Sequence, residues 1–311
     1  MLDGVLFFPV TPFTPGGEVD YDTLAEHVRR GVAAGPGGVF AACGTGEFHA
    51  LEAAEYARVV KTTVDVVGGQ LPVFAGAGGS VAQARGFARE AARGGADGLL
   101  VLPPYLVQAP QQGLIDYMTA VASETDLPVI VYHRGNARFT EESASAVAAL
   151  PNVVGLKEGV GDVGLMSRIV ASVRETVAAS GKPFQFFNGL PTAEASQLAY
   201  RAIGVTLYSS AAFAFVPDLA LAYYRALQDA ADDVVEALLR GFFNPLVRLR
   251  DKVPGYAVSL VKAGVTLEGL AVGSVRPPLV DAAPEHVGEL ERIIAAGRAA
   301  LAGTLTRPVQ R

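Results

Sequence analysis

The feature that most constrains the fold of this 311-residue chain is an alternation, repeated eight times, of a short apolar run with an amphipathic stretch. Several runs are rich in Val, Phe or Leu without a polar alternation, which is typical of parallel strands buried on both faces. The predicted strands are Val5–Pro9, Gly38–Cys43, Pro72–Gly76, Gly98–Leu102, Pro128–Tyr132, Val153–Lys157, Phe184–Asn188 and Val205–Tyr208. Eight strand–helix units predict a closed (β/α)8 TIM barrel, because the alternative, a doubly wound open sheet, more often has about six strands.

The amphipathic stretches read as helices with their own start and stop signals, such as Thr140 as a cap before Glu141. They are predicted at residues 20–34, Leu51–Val67, Val81–Arg93, Gln112–Glu124, Glu141–Leu150, Leu165–Ala179, Ala193–Ile203 and Pro217–Asp229. Beyond them the pattern is helical only, over Asp232–Asp251, Tyr256–Ala263 and Glu285–Leu301. We expect residues 1–229 to form the barrel and residues 230–311 to form a C-terminal helical appendage that is not an independent domain. A loose tail is expected from Gly303.

Composition argues against several classes of function. The formal net charge is −6, and nucleic-acid binding needs a basic face. No stretch approaches the roughly 18 apolar residues of a membrane helix, and the N-terminal segment is a poor signal peptide. The single cysteine, Cys43, excludes a disulfide within the chain and favours a reducing compartment. We therefore expect a cytoplasmic protein with neither a nucleic-acid nor a membrane partner.

Two strand ends carry residues suited to catalysis, and in barrels of this kind catalytic groups lie where strands end and loops begin. Lys157 ends the sixth predicted strand, where partial desolvation favours the neutral, nucleophilic form of an amine. Tyr132 ends the fifth, so that adjacent strands bring its phenol within proton-relay reach of the lysine. Each has a plainer interpretation: a lysine that faces water or pairs with an acid, and a core tyrosine with its hydroxyl at the surface.

A glycine-rich turn, Cys43–Glu47, follows the second predicted strand. Its small residues let a carboxylate approach backbone N–H groups, and Thr45 adds a hydroxyl. Most such turns are simple tight turns, and the Walker spacing is missing here. Cys43 is better interpreted as a small buried residue than as a nucleophile. No metal site is expected, because no ligand spacing connects the four histidines, His27, His49, His133 and His286.

Taken together, these segments resemble the pyruvate-type class I aldolase superfamily, which includes dihydrodipicolinate synthase and N-acetylneuraminate lyase. Three motifs agree in order and spacing: Gly44–Glu47, the strand that ends in Tyr132, and Gly155–Glu158. The resemblance spans nearly the whole chain and is strongest to one branch, the 5-dehydro-4-deoxyglucarate dehydratases. The stretches that resemble this branch are residues 8–13, 43–48, 102–107, 189–194, 208–210, 254–259 and 275–279. The last two fall in the appendage, where we expect no constraint on the sequence from catalysis.

The run Tyr132–Asn136 lies nearer the Tyr-Asn-Arg-Asp-Asn pattern of that branch than the Tyr-x-x-Pro-x-Arg run of dihydrodipicolinate synthases. It keeps Tyr132, Arg134 and Asn136 but departs at His133 and Gly135. These two departures bear on fine substrate preference.

The resemblance implies a reaction on a six-carbon keto-diacid held as a Schiff base on Lys157, with Tyr132 carrying protons. The keto-acid carboxylate would lie at Thr45 and Gly46. Candidates for the distal end, from their location near strands seven and eight, are Asn188, Thr192, Ser209 and Ser210. The products would be water, carbon dioxide and 2,5-dioxopentanoate. No nicotinamide, pyridoxal phosphate or metal cofactor is expected, because the lysine supplies the electron sink. The resemblance also implies a homotetramer.

Three alternatives stay open at this point. An aldolase or synthase of the same superfamily would act on pyruvate through the same imine but release no carbon dioxide from the keto-diacid. A keto-acid sensor would form the imine and turn nothing over. A metal-dependent aldolase would lose activity with a chelator, and the scattered histidines argue against it.

Overall fold

In a computed structural model, which describes residues 1–178 and 180–305, eight parallel strands close into a barrel in chain order. Each strand pairs with the next, and the last pairs with the first. The strands are β1 Leu6–Phe7, β2 Gly38–Ala41, β3 Val73–Gly79, β4 Gly98–Pro104, β5 Val129–His133, β6 Val153–Glu158, β7 Gln185–Asn188 and β8 Leu207–Ser210. The prediction of a (β/α)8 barrel is confirmed, and the open sheet is excluded.

Helices cover the outside of the barrel and continue into the appendage. Those of the barrel are α1 Tyr21–Ala33, α2 Ala53–Val67, α3 Val81–Arg93, α4 Gln111–Ala122, α5 Glu141–Ala148, α6 Val163–Ala178, α7 Gln197–Ala202 and α8 Pro217–Gln228. The appendage contains α9 Asp232–Leu238, α10 Asn244–Arg250, α11 Tyr256–Leu267 and α12 Pro284–Leu305. No helix among the described residues is long and apolar enough to cross a membrane.

Two predicted elements near the mouth of the barrel lie elsewhere than expected. The predicted strand Val205–Tyr208 is displaced by two residues, because the Gln197 side-chain amide donates to the carbonyls of Val205 and Thr206, at 3.0 and 3.3 Å. Ser209 and Ser210 therefore lie inside β8. The predicted helix Ala193–Ile203 starts as a 3-10 turn over Ala193–Ser196, where the Ala193 carbonyl accepts a hydrogen bond from the Asn188 amide.

The appendage departs from prediction in two places. The predicted helix Asp232–Asp251 is continuous but contains a π-helical turn at Leu239–Phe243. Pro245 follows this turn, and a proline lacks the N–H that a regular α-helix needs there. The loose tail expected from Gly303 is wrong for residues 303–305, which continue α12. The rest of that prediction, residues 306–311, lies outside the described residues.

The barrel interior is a core of its own. Its aromatic rings stack in sequence, Phe8 on Phe40 with centroids 4.5 Å apart and Phe40 on Phe74 at 5.1 Å. Tyr132 belongs to the same interior cluster. The inside is thus filled with side chains, as is usual for an eight-stranded barrel, and open space begins only above them, at the carboxyl ends of the strands.

Candidate active site

Lys157 is the penultimate residue of β6, and its side chain is buried, with 6% of the residue exposed. Parallel pairing sets it opposite Tyr132 of β5. Its Nζ lies 3.9 Å from the centroid of the Tyr132 ring and donates to the Gly189 carbonyl at 3.3 Å. The pairing register of two neighbouring strands thus brings the amine and the phenol ring together at the barrel mouth.

Two glycines keep space open for this pair. A Cβ at Gly189 would lie 2.7 Å from Lys157 Nζ and 2.6 Å from the Glu158 carbonyl oxygen. A Cβ at Gly159 would lie 2.7 Å from Cε2 of the Tyr132 ring. Contacts this short do not occur in folded proteins, so any other residue at either position would displace the amine or the phenol.

The Tyr132 hydroxyl is held from two sides. It donates to the Gly189 carbonyl at 2.8 Å and accepts from Arg134 Nη1 at 3.2 Å. Burial acts to raise the pKa of Tyr132, but the charges of Lys157 and Arg134 and their hydrogen bonds outweigh it, so the pKa lies below its ordinary value of 10.0. A phenol with a lowered pKa is a better proton carrier near neutral pH.

A cavity of about 360 Å³ opens above Lys157. Its lining includes Thr45, Tyr132, Ser209 and the apolar side chains of Phe8, Leu100 and Leu190. Among the described residues that line it, the charged side chains are the cations Lys157 and Arg134, and no carboxylate takes part. This local positive charge suits an anionic ligand, although the chain as a whole is acidic.

The remaining residues proposed from the sequence divide into two groups. Thr45 and Ser209 line the cavity, and Gly46 lies directly behind Thr45, where its carbonyl accepts from the Thr11 hydroxyl at 2.7 Å. The cavity wall does not include Gly46, nor does it include Asn188, Thr192 or Ser210. Their direct contact with a ligand stays a prediction, because none of them lines this cavity in the structure.

The three side chains outside the wall have structural partners. The Asn188 amide donates to Ala193 O, Ser196 Oγ and Gln197 Oε1, at 3.0 to 3.2 Å. Thr192 Oγ1 accepts from Arg250 at 3.0 Å. The Ser210 hydroxyl donates to the buried carboxylate of Glu194. They hold the loops after β7 and β8 in place, and sequence position alone did not reveal which way they face.

Sequence reasoning assigned no role to several residues that form the site. Arg134 was noted only as part of a motif, although a cation two residues beyond the strand-end tyrosine was the available signal. The appendage lines one side of the cavity, with residues Gly255, Ala257, Val258 and Leu279. The expectation that catalysis does not constrain this part of the chain is therefore wrong, and nothing in the periodicity indicated that these residues would reach the barrel mouth.

Two other residues near the site are uncharged at neutral pH. Cys43 is fully buried, and burial raises the pKa of its thiol to about 12. Burial also lowers the pKa of His133 to about 4, and its Nδ1 accepts from the Phe139 N–H at 3.0 Å. Among the described residues, no group of three or more His, Cys, Asp or Glu is placed to hold a metal ion.

Comparison with known families agrees with this geometry. A family model described as the dihydrodipicolinate synthetase family matches residues 1–297. A protein of Streptomyces griseus named "Probable 5-dehydro-4-deoxyglucarate dehydratase" is 56% identical over 299 residues, which cover 96% of this chain and 93% of the relative. The "5-dehydro-4-deoxyglucarate dehydratase" of Pseudomonas putida is 40% identical and covers 94% of both chains.

Solved structures agree on the fold. The dihydrodipicolinate synthase of Thermotoga maritima matches with a TM-score of 0.85 at 26% identity, over 96% of this chain and 99% of that one. The dihydrodipicolinate synthase of Bacillus clausii matches with a TM-score of 0.87 at 24% identity, over 96% of this chain and 98% of that one. At this identity the match supports the fold alone. The chain therefore belongs to the dihydrodipicolinate synthetase family and, within it, to the branch whose members are named 5-dehydro-4-deoxyglucarate dehydratase.

Proposed function

We propose that this protein is a decarboxylating dehydratase that converts 5-dehydro-4-deoxyglucarate into 2,5-dioxopentanoate, water and carbon dioxide. The observation that carries the proposal is the buried amine of Lys157 beside the phenol of Tyr132, at the base of a cavity whose charged lining is cationic. The substrate is inferred from the relatives. Their names specify it, and they match this chain over nearly its full length.

The first step is imine formation. The Lys157 amine attacks the substrate ketone, and the carbinolamine loses water after proton transfer. Tyr132 is the proton carrier for this step, since its ring touches the amine and the pKa of its hydroxyl is lowered. The carboxylate next to the ketone binds at the turn that carries Thr45, where backbone N–H groups and a hydroxyl hold it still.

Elimination follows from the electron sink that the iminium provides. Loss of a proton from the methylene carbon beside the iminium gives an enamine, and the enamine expels the β-hydroxyl as water. The resulting conjugated iminium accepts the electron pair of the bond to the distal carboxylate, which leaves as carbon dioxide. Protonation, tautomerisation and hydrolysis of the imine release 2,5-dioxopentanoate and return the free amine. Lys157 thus supplies the sink that a bound cofactor supplies in other enzymes.

The decisive measurement is carbon dioxide release from 5-dehydro-4-deoxyglucarate, together with borohydride trapping of the imine. Lys157→Ala is expected to abolish both, because no other amine lines the base of the cavity in the described part of the chain. Lys61→Ala, an exposed lysine of α2, is the matched control and keeps both activities. Full turnover by Lys157→Ala would end the proposed mechanism.

The same experiment separates the alternative functions. A pyruvate-dependent aldolase or synthase would be trapped on Lys157 by pyruvate plus borohydride but would release no carbon dioxide from the keto-diacid. A sensor would be trapped while no substrate decayed. The names of the relatives favour the dehydratase over both.

We also propose that the protein works as a homotetramer in the cytoplasm, with residues 230–311 as part of the barrel unit. Three consecutive apolar side chains directly after β4, Tyr105, Leu106 and Val107, are between 59% and 77% exposed, which supports a subunit interface there. The one cysteine is free and buried, which fits a reducing compartment. Sedimentation analysis measures the assembly directly.

A further inference from the structure

The turn that carries Thr45 is fixed by the residue that follows it, Glu47. Glu47 is fully buried and adopts a left-handed backbone conformation with φ of 56°, which is uncommon for a residue with a side chain. Its N–H closes the turn by donating to Gly44 O at 3.2 Å. The orientation of the turn is therefore coupled to the position of the Glu47 carboxylate.

That carboxylate is held by the appendage, not by the barrel. Lys262 of α11 is 3% exposed, and its Nζ lies 2.7 Å from Glu47 Oε1. The same ammonium donates to Ser274 O at 2.8 Å and lies 4.0 Å from the centroid of the Phe13 ring. Burial lowers the pKa of Lys262 while Glu47 opposes this effect, so the pair is a desolvated contact between two parts of the chain more than 200 residues apart.

A second contact approaches the same carboxylate from the segment between α11 and α12. The Arg276 N–H donates to Glu47 Oε2 at 2.9 Å. The Arg276 guanidinium binds both oxygens of Glu55 at 2.6 and 2.7 Å, and it donates to the carbonyls of Gly17 and Ala50. Two separate segments of the appendage thus contact the Glu47 carboxylate behind the turn.

Stability alone does not account for a pair of this kind. A buried ion pair contributes little net stability compared with apolar residues of the same shape, whereas it does fix one geometry. The appendage also lines the cavity itself, with Val258 and Leu279 on its wall. The charged contact and the wall therefore belong to the same structural unit.

We propose that Glu47 and Lys262 are positioning residues that set the carboxylate-binding turn at Thr45, so that the C-terminal appendage tunes affinity for the keto-acid carboxylate. This inference rests on the proposed function, because it assumes that the turn binds the carboxylate beside the ketone.

The test compares two ketones, one of which has a methyl group in place of the carboxylate of the other. Pyruvate and acetone are each titrated in the presence of cyanoborohydride, and the adduct is quantified on the peptide that contains Lys157. In Lys262→Met the pyruvate concentration for half-maximal trapping is expected to rise about tenfold or more, because misplacement of a binding group by a fraction of an ångström weakens it to that degree. Acetone trapping is expected to stay unchanged, because the amine itself is untouched.

Lys252→Met is the matched control. Lys252 also lies in the appendage and pairs with an acid, Glu289, at 2.6 Å, but this pair is partly exposed, and the ion pairs of the described residues do not connect it with Glu47. Its pyruvate and acetone titrations are expected to match the unaltered protein. Equal pyruvate dependence in Lys262→Met and Lys252→Met would overturn the proposal, and so would a parallel loss of pyruvate and acetone trapping.

Arg276→Gln provides a second route if Lys262→Met does not fold. It loosens the same segment at a partly exposed side chain, and it should raise the pyruvate requirement in the same direction. Unchanged pyruvate trapping in a folded Arg276→Gln would also count against the proposal. The proposed function fails in a different way, namely if the unaltered protein releases no carbon dioxide from the keto-diacid.

Discussion

At the scale of single residues, the site depends on how two cations surround one phenol. Tyr132 is buried, and burial alone would make its proton harder to remove. Lys157 and Arg134 reverse this effect, since a nearby positive charge stabilises the phenolate. The nitrogen of Lys157 loses its positive charge in the neutral carbinolamine and enamine, whereas Arg134 keeps its charge and its effect on the pKa of Tyr132 in every intermediate. Arg134 therefore acts on the proton carrier, in addition to any contact with the ligand.

Replacing Arg134 by Gln is expected to raise the pKa of Tyr132, because one stabilising positive charge is removed. If the phenolate is the base, the limb of the pH–rate profile that reports its ionisation moves to higher pH, and kcat at neutral pH falls by about tenfold or more. The profile of kcat between pH 6 and 10 measures this. Arg138→Gln, another exposed arginine of the same loop, should leave the limb in place. A limb that does not move would mean that Arg134 only binds the ligand.

At this scale, the sequence indicated which residues lie near the ends of strands but not which way their side chains point. Lys157 and Tyr132 were predicted to end their strands; each is the penultimate residue of its strand, and the pairing of β5 with β6 brings them together. Asn188, Thr192 and Ser210 were placed near the site correctly along the chain but are turned away from the cavity. The direction of a side chain at the end of a strand depends on its hydrogen-bond partners in neighbouring loops, which a linear pattern does not contain.

At the scale of elements, the strand and helix predictions held where periodicity and end signals agreed. The helix Val81–Arg93 has the predicted bounds, because Ser80 caps one end and glycines follow the other. Periodicity did not predict the displaced start of β8. The Gln197 amide donates to the carbonyls of Val205 and Thr206, which a longer strand would have used for pairing. A side chain that competes for backbone groups changes an element boundary without changing the hydrophobic pattern.

The 3-10 turn Ala193–Ser196 carries a buried acid against β8, and this contact predicts how stability depends on pH. Burial raises the pKa of Glu194 from an ordinary 4.5 to about 7, while hydrogen bonds from Ser210 and the backbone oppose it. The protonated form is thus favoured in the folded protein. Its stabilising effect is complete below the unfolded pKa and is lost as pH rises from about 4.5 through about 7.

Glu194→Gln removes the titration while keeping a hydrogen-bond acceptor for Ser210. At pH 8 the variant should be more stable than the unaltered protein by up to about 3 kcal/mol, and the gain should shrink towards pH 5. Urea unfolding at both pH values measures the difference. Glu175→Gln, at an exposed position of α6, serves as the control. A gain of the same size at pH 5 and pH 8 would show that Glu194 is not the titrating group.

At the scale of the whole molecule, barrel and appendage share one core. Phe242 and Phe243 of the π-helical turn are fully buried, and Phe243 contacts the ring of Tyr223 in α8 at 4.9 Å between centroids. Gly264 of α11 has no space for a side chain, because a Cβ there would lie 2.5 Å from the Phe215 ring. The barrel thus presents an apolar face to the appendage, which packs against it.

Because this face is apolar, a chain that ends at residue 229 is expected not to reach the native state. It would expose Leu219 and Tyr223, both fully buried in the complete chain, and would aggregate. The complete chain should unfold in a single transition, with coincident curves from far-UV and near-UV circular dichroism. The ion pairs of Arg298 with Asp218 and Glu268 are exposed and stabilise the folded chain much less than this apolar contact does. Arg298→Gln should therefore lower the free energy of unfolding by at most about 1 kcal/mol. Cooperative melting of the 1–229 chain, with pyruvate still trapped on Lys157, would show that the barrel is independent and that the appendage is only attached to it.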